Sequence, residues 1–408
     1  MPRAARAPVA AARELARRRG TRLYLAGGVV RDLLLERPIR DIDLVVEEGA
    51  AEFAGALAER LDASLRVHDR FATAALTLGD GSRVDVASAR REVYEEPGAL
   101  PTVIPGASIE EDLARRDFTV NAMALEIAPG RRLLDPFGGR RDLARGIIRI
   151  LHDGSFRDDP TRSFRAVLYA NRLGFRLAAP TRRAIGQAVQ GRVFDLVSGD
   201  RLRREIVRIF SEPDRAGAAR RLQRLDLDRV IEPRLARTAA GPRLRMAETL
   251  AAARSAGVTW LCYLLAWMTQ TTPAAAVRAA ARLMLAGRDR ERMIGWHRTL
   301  RRLGPGLARR RSSEIARRAD GLSEDELVAA AAVLPASDRR ALLAAGGDSA
   351  GIRLGIRGSD LLAAGVPPGE AIGHALRRTL DARRDGQISA PEELEYALKA
   401  ALGRIARR

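Results

Sequence analysis

Between Arg22 and Val46 the chain reads as an apolar strand, Leu23–Ala26, a glycine break at Gly27-Gly28, a short helix, and a second apolar strand that opens on two acids, Asp41-Ile42-Asp43. Two such strands this close together have to be buried in a common sheet. Further strands are expected at Ala72–Leu78 and Arg83–Ala87, where apolar residues alternate with period two. These segments define a small α/β domain. The stretch from Arg90 to Glu110 carries Pro97, Pro101, Pro105, Gly98 and Gly106 and is expected to be a mobile loop without regular structure.

Beyond a turn at Asp135–Gly139 the period changes. Helices are expected at Asp159–Leu173, Thr181–Val189, Asp200–Phe210, Arg245–Thr269, Ala274–Leu285, Glu314–Ala319 and Ser323–Ala332, with no obvious place for strands. A break near Asp348–Gly358 precedes a compact segment beginning Gly358-Ser-Asp-Leu-Leu and a helix to about Asp385. At 408 residues the chain is long enough for several cores. The expected fold class is α+β: a mixed-sheet head over 1–145, then a helical neck over 146–235, a helical body over 236–345 and a helical tail over 346–408.

Aromatic residues make up only 4% of the chain, so the core is expected to be aliphatic and largely helical. The formal net charge is +20, carried almost wholly by arginine, with Lys399 the single lysine. That charge suits a polyanionic partner, although an Ala-, Arg- and Gly-rich composition carries it without one. One cysteine, Cys262, excludes an intramolecular disulfide framework and a multi-cysteine zinc site. His68, His152, His297 and His374 are too scattered for a histidine metal cluster. Pro2–Arg19 is arginine-rich without an apolar stretch, and no run approaches the roughly eighteen apolar residues a membrane span needs. A cytoplasmic protein with no membrane partner is expected.

Asp41 and Asp43 project from one face of a strand, roughly 6.8 Å apart along the chain. Two neighbouring carboxylates repel each other, and hard oxygen ligands suit Mg²⁺ between them. Asp85, in Val84-Asp85-Val86 on the next expected strand, is the candidate third carboxylate. Two metals there would activate an RNA 3′-hydroxyl and stabilise leaving pyrophosphate. Just upstream, Gly27 and Gly28 would let backbone N–H groups approach phosphates that Arg31 grips in a bidentate fork.

Farther along, Asp158-Asp159-Pro160-Thr161-Arg162 has the makings of a capped helix start, with Pro160 in the first turn. Asp159, Arg162 and Arg165 recur every three residues, which would place them along one helix face. A carboxylate beside a guanidinium complements a base edge that offers an amino donor next to a ring acceptor. Cytosine and adenine both fit, whereas uracil and guanine present a carbonyl there. Each well-formed bidentate contact discriminates by about 1–3 kcal/mol.

Leu25-Ala26-Gly27-Gly28-Val29-Val30-Arg31-Asp32 followed by Arg40-Asp41-Ile42-Asp43-Leu44-Val45 resembles the head-domain signature of class II tRNA nucleotidyltransferases and bacterial poly(A) polymerases, within the polymerase-β-like superfamily. Arg115-Arg116-Asp117-Phe118-Thr119-Val120-Asn121 resembles that family's second block, and the segment from Asp158 its third. The resemblance implies that Asp41 and Asp43 bind the metal and that Gly28 and Arg31 bind the nucleotide. It further implies that the block holding Arg116, Asp117 and Asn121 contacts ribose and triphosphate, while Asp159 and Arg162 select the base. Read without the family, Asp117 is expected to pair with Arg115 or Arg116. Two departures stand out: Asp158 replaces a leading Glu, and Leu168 replaces an arginine, with Tyr169 where Phe is usual. Asp200–Glu205 resembles the next helix, which would support the neck, and Gly358–Gly373 a segment that would contact tRNA. The resemblance implies a tRNA or other RNA 3′ end as acceptor and CTP and ATP as donors. CCA addition is expected first, A-only addition next and poly(A) synthesis third, because the 92–110 segment that CC-only relatives shorten is full length here.

Overall fold

The computed structural model describes residues 3–39, 41–68, 72–235, 240–255, 257–346 and 351–405. Arg40 of the signature, Pro2 and the first residues of the expected break at 348 lie outside them. The chain divides into two compact units, residues 1–209 with 221–230, and residues 210–220 with 231–408.

The first unit opens with helix α1 (Arg3–Arg19), strand β1 (Leu23–Ala26), helix α2 (Gly28–Leu34), strand β2 (Asp41–Val46) and helix α3 (Ala50–Leu61). Strands β3 (Ser64–His68), β4 (Thr73–Thr77) and β5 (Arg83–Ser88) follow, then β6 (Arg90–Val93), β7 (Thr102–Pro105), helix α4 (Ile109–Ala114), β8 (Ala124–Ala128) and β9 (Leu133–Leu134). One seven-stranded mixed sheet forms in the order β3-β4-β5-β2-β1-β8-β9. Within it β2 and β5 run parallel, and the other pairs are antiparallel. Helix α3 buries Phe53, Ala54, Leu57 and Ala58 as one apolar stripe and packs on β3, β4 and β5. Around β1 and β2, Tyr24, Val45, Ile109, Leu113 and Leu134 close a buried cluster.

The stretch expected to be an unstructured loop is instead a hairpin: β6 pairs with β7 from Arg90↔Pro105 to Val93↔Thr102. Its prolines stand in the connection or at the last strand position, where no ladder donor is needed. The hairpin's connection is also tied down, since Gly98 accepts from Arg201 Nη1 at 2.5 Å.

After α5 (Gly139–Ala144) come β10 (Ile147–Ile148), α6 (Ser155–Asp158), α7 (Arg162–Leu173), β11 (Arg176–Leu177), α8 (Ala179–Gln190) and α9 (Gly199–Phe210). Strands do have a place here, contrary to expectation: β10 and β11 form a short parallel pair. Phe118 bridges to Ile150, and Thr119 N donates to Arg149 O, so this region is bonded directly to the segment after α4. Helices α10 (Arg215–Arg224) and α11 (Asp228–Ile231) follow.

The second unit contains α12 (Ala240–Ala253), α13 (Trp260–Met268), α14 (Pro273–Arg282), α15 (Gly287–Leu303), α16 (Ser312–Ala319), α17 (Glu324–Val333) and α18 (Ala336–Gly346). It ends with α19 (Gly358–Ala363), α20 (Glu370–Arg384) and α21 (Glu393–Ile405). The single helix expected over Arg245–Thr269 is two. Thr259 caps α13 by accepting from Leu261 N, and Asp325 in turn accepts from Thr259 N and Oγ1 at 2.6 and 2.7 Å. Helix α13 is buried almost all round, including Cys262 and Trp267, against α12 and α17. Leu361, Val366, Ala375, Ala397 and Ala401 form a separate small core near the C-terminal end. Among the described residues no helix is long and apolar enough to cross a membrane.

Candidate active site

The strand alternation of β2 buries Ile42 and Leu44 and leaves Asp41 and Asp43 on the opposite face. In the parallel register Asp41 stands opposite Arg83 and Asp43 opposite Asp85, so all three acids and one arginine share a face of adjacent strands. Asp85 accepts from Arg83 Nε at 2.9 Å and Nη2 at 2.8 Å. Among the described residues Asp43 has no such hydrogen-bonded arginine. Burial pushes its carboxyl up to about 6; Arg116 draws it down, and Asp85 and Asp41 add to the upward push.

Among the described residues no group of three or more His, Cys, Asp or Glu side chains is arranged to hold an ion, and Asp85 is engaged with Arg83. Asp41 and Asp43 remain as two hard oxygen donors short of positive charge. That donor set fits a small divalent cation bound by two carboxylates and completed by substrate phosphates and water.

Arg116 lies within electrostatic reach of Asp43. Its Nε and Nη2 donate to Asp112 Oδ2 at 3.3 and 2.9 Å. Its Nη1 sits where a Cβ of residue 27 would be, a space open only because Gly27 has none. Gly27 also adopts φ 80°, ψ −130°, a conformation L-residues avoid. Gly27 N donates to Met123 O at 3.0 Å, which sets the turn against the end of the Arg115–Asn121 block.

Arg31 is buried, and its fork is used within the protein: Nε and Nη2 donate to Asp32 at 2.9 and 2.8 Å, and Nη1 to Asn121 Oδ1 at 2.7 Å. The Arg31 fork to which the sequence reading gave phosphate binding is here engaged in an internal ion pair, with Nη2 lying near Gly28. Asn121 Nδ2 donates onward to Asp117 Oδ1 at 3.0 Å, and Asp117 Oδ2 accepts Arg165 Nε at 2.9 Å and Nη2 at 2.6 Å. Asp117 thus pairs with Arg165 and not with Arg115 or Arg116, both of which are drawn to Asp112. Burial pushes the Asp117 carboxyl up, but Arg165, Asn121 and Arg162 outweigh it and hold it below the ordinary carboxylate value. Tyr169 lies among three arginines, 5.2 Å from Arg31 and 5.9 Å from both Arg165 and Arg172, with its ring edge-on to Phe118.

Asp159, Arg162 and Arg165 do not share one helix face. Helix α7 begins at Arg162, and Asp159 precedes it in extended conformation, accepting from Thr161 N and Oγ1 at 3.0 and 2.6 Å. The reason is local: Asp159 binds the backbone ahead of the helix instead of entering it. Arg201 Nη2 donates to Asp159 Oδ1 at 2.7 Å. Arg162 is buried and donates to Ser155 Oγ, the Tyr94 hydroxyl and Arg115 O at 3.0, 3.1 and 2.9 Å. Burial pushes the Tyr94 hydroxyl up to about 12, so it stays protonated and donates to Glu92 at 3.0 Å.

Sequence reasoning missed Glu92, Tyr94, Asp112 and Arg201. Asp112 alone left a trace, lying three and four residues before two arginines. Tyr94 and Glu92 were hidden in a segment whose prolines and glycines argued against order.

A mixed sheet carrying a diacid strand beside a glycine turn and a buried arginine network defines a nucleotidyltransferase head. Residues 23–149 match the family model described as "Poly A polymerase head domain". The chain is 33% identical to the CC-adding tRNA nucleotidyltransferase of Deinococcus radiodurans, over 96% of this chain and 92% of the relative. It is 35% identical to the A-adding tRNA nucleotidyltransferase of Geobacter sulfurreducens, over 93% of this chain but only 45% of the relative, so it spans less than half of that protein's length. A solved CCA-adding enzyme in an apo form matches with a TM-score of 0.84 and 30% identity, over 96% of this chain and 94% of that one. The chain belongs to the tRNA nucleotidyltransferase family that shares the poly(A) polymerase head. Nucleotidyltransferases of this family generally use divalent metals.

Proposed function

We propose that this chain is a template-independent nucleotidyltransferase that builds the CCA end of tRNA from CTP and ATP and releases pyrophosphate. The observation that carries the reading is the placing of Asp41 and Asp43 on one strand face, with Arg116 at the Gly27 turn within electrostatic reach of Asp43. Asp41 and Asp43 would hold Mg²⁺, which when bound supplies activation of the RNA 3′-hydroxyl and charge stabilisation of the leaving pyrophosphate. The protein's own residues do the rest. Arg116 presents a guanidinium to the triphosphate, and Gly27 lets it stand close to the backbone there. Arg31, Asn121, Asp117 and Arg165 form a bonded chain that fixes the wall of the nucleotide site.

Asp159 and Arg162 supply the acceptor and donors for a cytosine or adenine edge. Both are satisfied internally, so a base must displace Arg201 from one and the Tyr94 hydroxyl from the other. The head, neck, body and tail take the bounds 1–145, 146–235, 236–345 and 346–408, with arginines of the helical parts meeting RNA phosphates. A cytoplasmic location goes with this substrate.

A-only addition is the second reading, favoured by the printed activity of the Geobacter relative. Purified protein is incubated with tRNAs ending before CCA, after C and after CC, with one labelled nucleotide at a time. Extension of all three acceptors supports CCA addition, extension of the CC-ended tRNA with ATP alone supports the second reading, and extension of none overturns both.

A further inference from the structure

Asp112 is fully buried, near the end of the short helix α4, which Ser108 and Glu111 anchor through a reciprocal capping box. Its two carboxylate oxygens are divided between two arginines. Oδ1 accepts Arg115 Nε and Nη2 at 2.9 and 2.6 Å, and Oδ2 accepts Arg116 Nε and Nη2 at 3.3 and 2.9 Å. Arg115 reaches on to Glu92 Oε1 at 2.8 Å, and its carbonyl receives Arg162. The Arg116 end is occupied by the Gly27 turn and lies within electrostatic reach of Asp43.

Two adjacent guanidiniums repel each other, and neither would hold this direction unaided. Without an anion at position 112, the acid that acts on Arg116 is Asp43, and an arginine that turned onto Asp43 would occupy a carboxylate the proposed reaction needs free. We propose that Asp112 is a positioning residue for nucleotide transfer, holding Arg116 toward the triphosphate at Gly27 and off Asp43, while holding Arg115 toward Glu92. This rests on the reading of the site given above.

The test uses the full chain and the variants Asp112→Asn, Arg116→Ala and the double variant, with tRNA ending in CC as acceptor. Charge-assisted hydrogen bonds are roughly twice as strong as neutral ones. Asp112→Asn is therefore expected to raise KM for ATP about tenfold and to raise the Mg²⁺ concentration needed for half-maximal rate, with KM for tRNA unchanged. In the double variant the KM effects should not add, because both substitutions remove one interaction. A residue that only supports folding would lower the active fraction, and so kcat, without moving KM for ATP, and its effect would add to that of Arg116→Ala. Either result overturns the proposal.

A crystal structure of Asp112→Asn supplies a readout independent of activity. The Arg116 guanidinium should leave the Gly27 turn; an unmoved Arg116 overturns the positioning role. Should the unsubstituted protein extend no RNA, the functional reading fails, and the Arg116 position in the variant crystal still decides the role of Asp112.

Discussion

Asp43 on β2 stands directly across a parallel pairing from Asp85 on β5, and among the described residues Asp85 alone of the two is hydrogen-bonded by an arginine. The difference assigns them unequal parts. Asp85 is neutralised by Arg83, whereas Asp43 is half-buried and faces two like charges, an arrangement that a divalent cation relieves. Asp43→Ala is accordingly expected to lower incorporation of every nucleotide by about a thousandfold or more while sparing RNA affinity. Single-turnover rates and filter binding measure the two separately. Retained turnover removes Asp43 from the metal site.

Gly27 combines φ 80°, ψ −130° with the near approach of Arg116 Nη1. Gly27→Ala meets both costs at once. The backbone conformation alone is worth about 1–3 kcal/mol of strain, and Arg116, tied to Asp112, cannot simply turn aside. The variant should lose stability of that order in urea unfolding and show a raised KM for nucleotide. A variant of unchanged stability and KM would show that the turn has another way to close.

Arg165 carries most of the compensation for a buried carboxylate, that of Asp117. Arg165→Ala leaves that charge without its ion-pair partner, a change expected to cost about 1–3 kcal/mol, below the cost for a fully buried pair because the Arg165 side chain is 36% exposed. The pH dependence has a definite sign. In the unsubstituted protein the Asp117 carboxyl lies below its ordinary value, so its contribution is complete above the ordinary carboxylate range and is lost as pH falls through the depressed folded value. In the variant burial dominates, the carboxyl rises, and protonation relieves it. The stability gap between the two proteins should therefore narrow as pH is lowered from 7 toward 4, as read from urea midpoints. A gap that widens contradicts the ion-pair account.

Arg162→Ala removes the donor proposed to meet the base edge and leaves Ser155, Tyr94 and the Arg115 carbonyl without their partner. Nucleotide choice should relax, with C and A losing about tenfold or more of their advantage over U. Competition assays with labelled nucleotides read this directly. Unchanged preference would leave Arg162 a purely structural cation.

What was legible in the sequence was whatever a local period records. The buried Ile42 and Leu44 alternating with Asp41 and Asp43 marked β2 and its acidic face, and the apolar rows of α7, α8 and α9 marked those helices to within a few residues. Gly27, Asp43 and Arg116 could each be singled out in the sequence because each sits in a local motif, and the fold sets Arg116 near both of the others. Partner choice was not legible. Asp117 has Arg116 as its chain neighbour yet binds Arg165, 48 residues away, and Arg31 spends its fork on Asp32. Those choices depend on which side chains the sheet and α7 bring to one wall, and spacing along the chain does not encode that. The β6–β7 hairpin was missed for a related reason: its prolines occupy positions where a strand tolerates them, which only the pairing reveals.

Tyr169 gives the last prediction, and it separates a ring from a hydroxyl. The ring accepts the faces or edges of Arg31, Arg165, Arg172 and Phe118. Among the described residues the hydroxyl's hydrogen bond is a weak one, from Arg165 Nη2 at 3.5 Å. Cation–π contacts are worth about 0.5–2 kcal/mol each, with the exposed Arg172 at the low end, whereas a hydrogen bond at 3.5 Å adds little. Tyr169→Phe should therefore leave stability within about 0.5 kcal/mol and leave nucleotide KM unchanged. Tyr169→Leu should cost about 2–3 kcal/mol and raise KM for ATP and CTP alike, because Arg31 and Arg165 lose the surface that aligns them. Leu168 beside it is buried and carries no charge, so position 168 adds no cation to this wall. Equal losses in the two variants would assign the role to the hydroxyl and overturn this account of the departure at position 169.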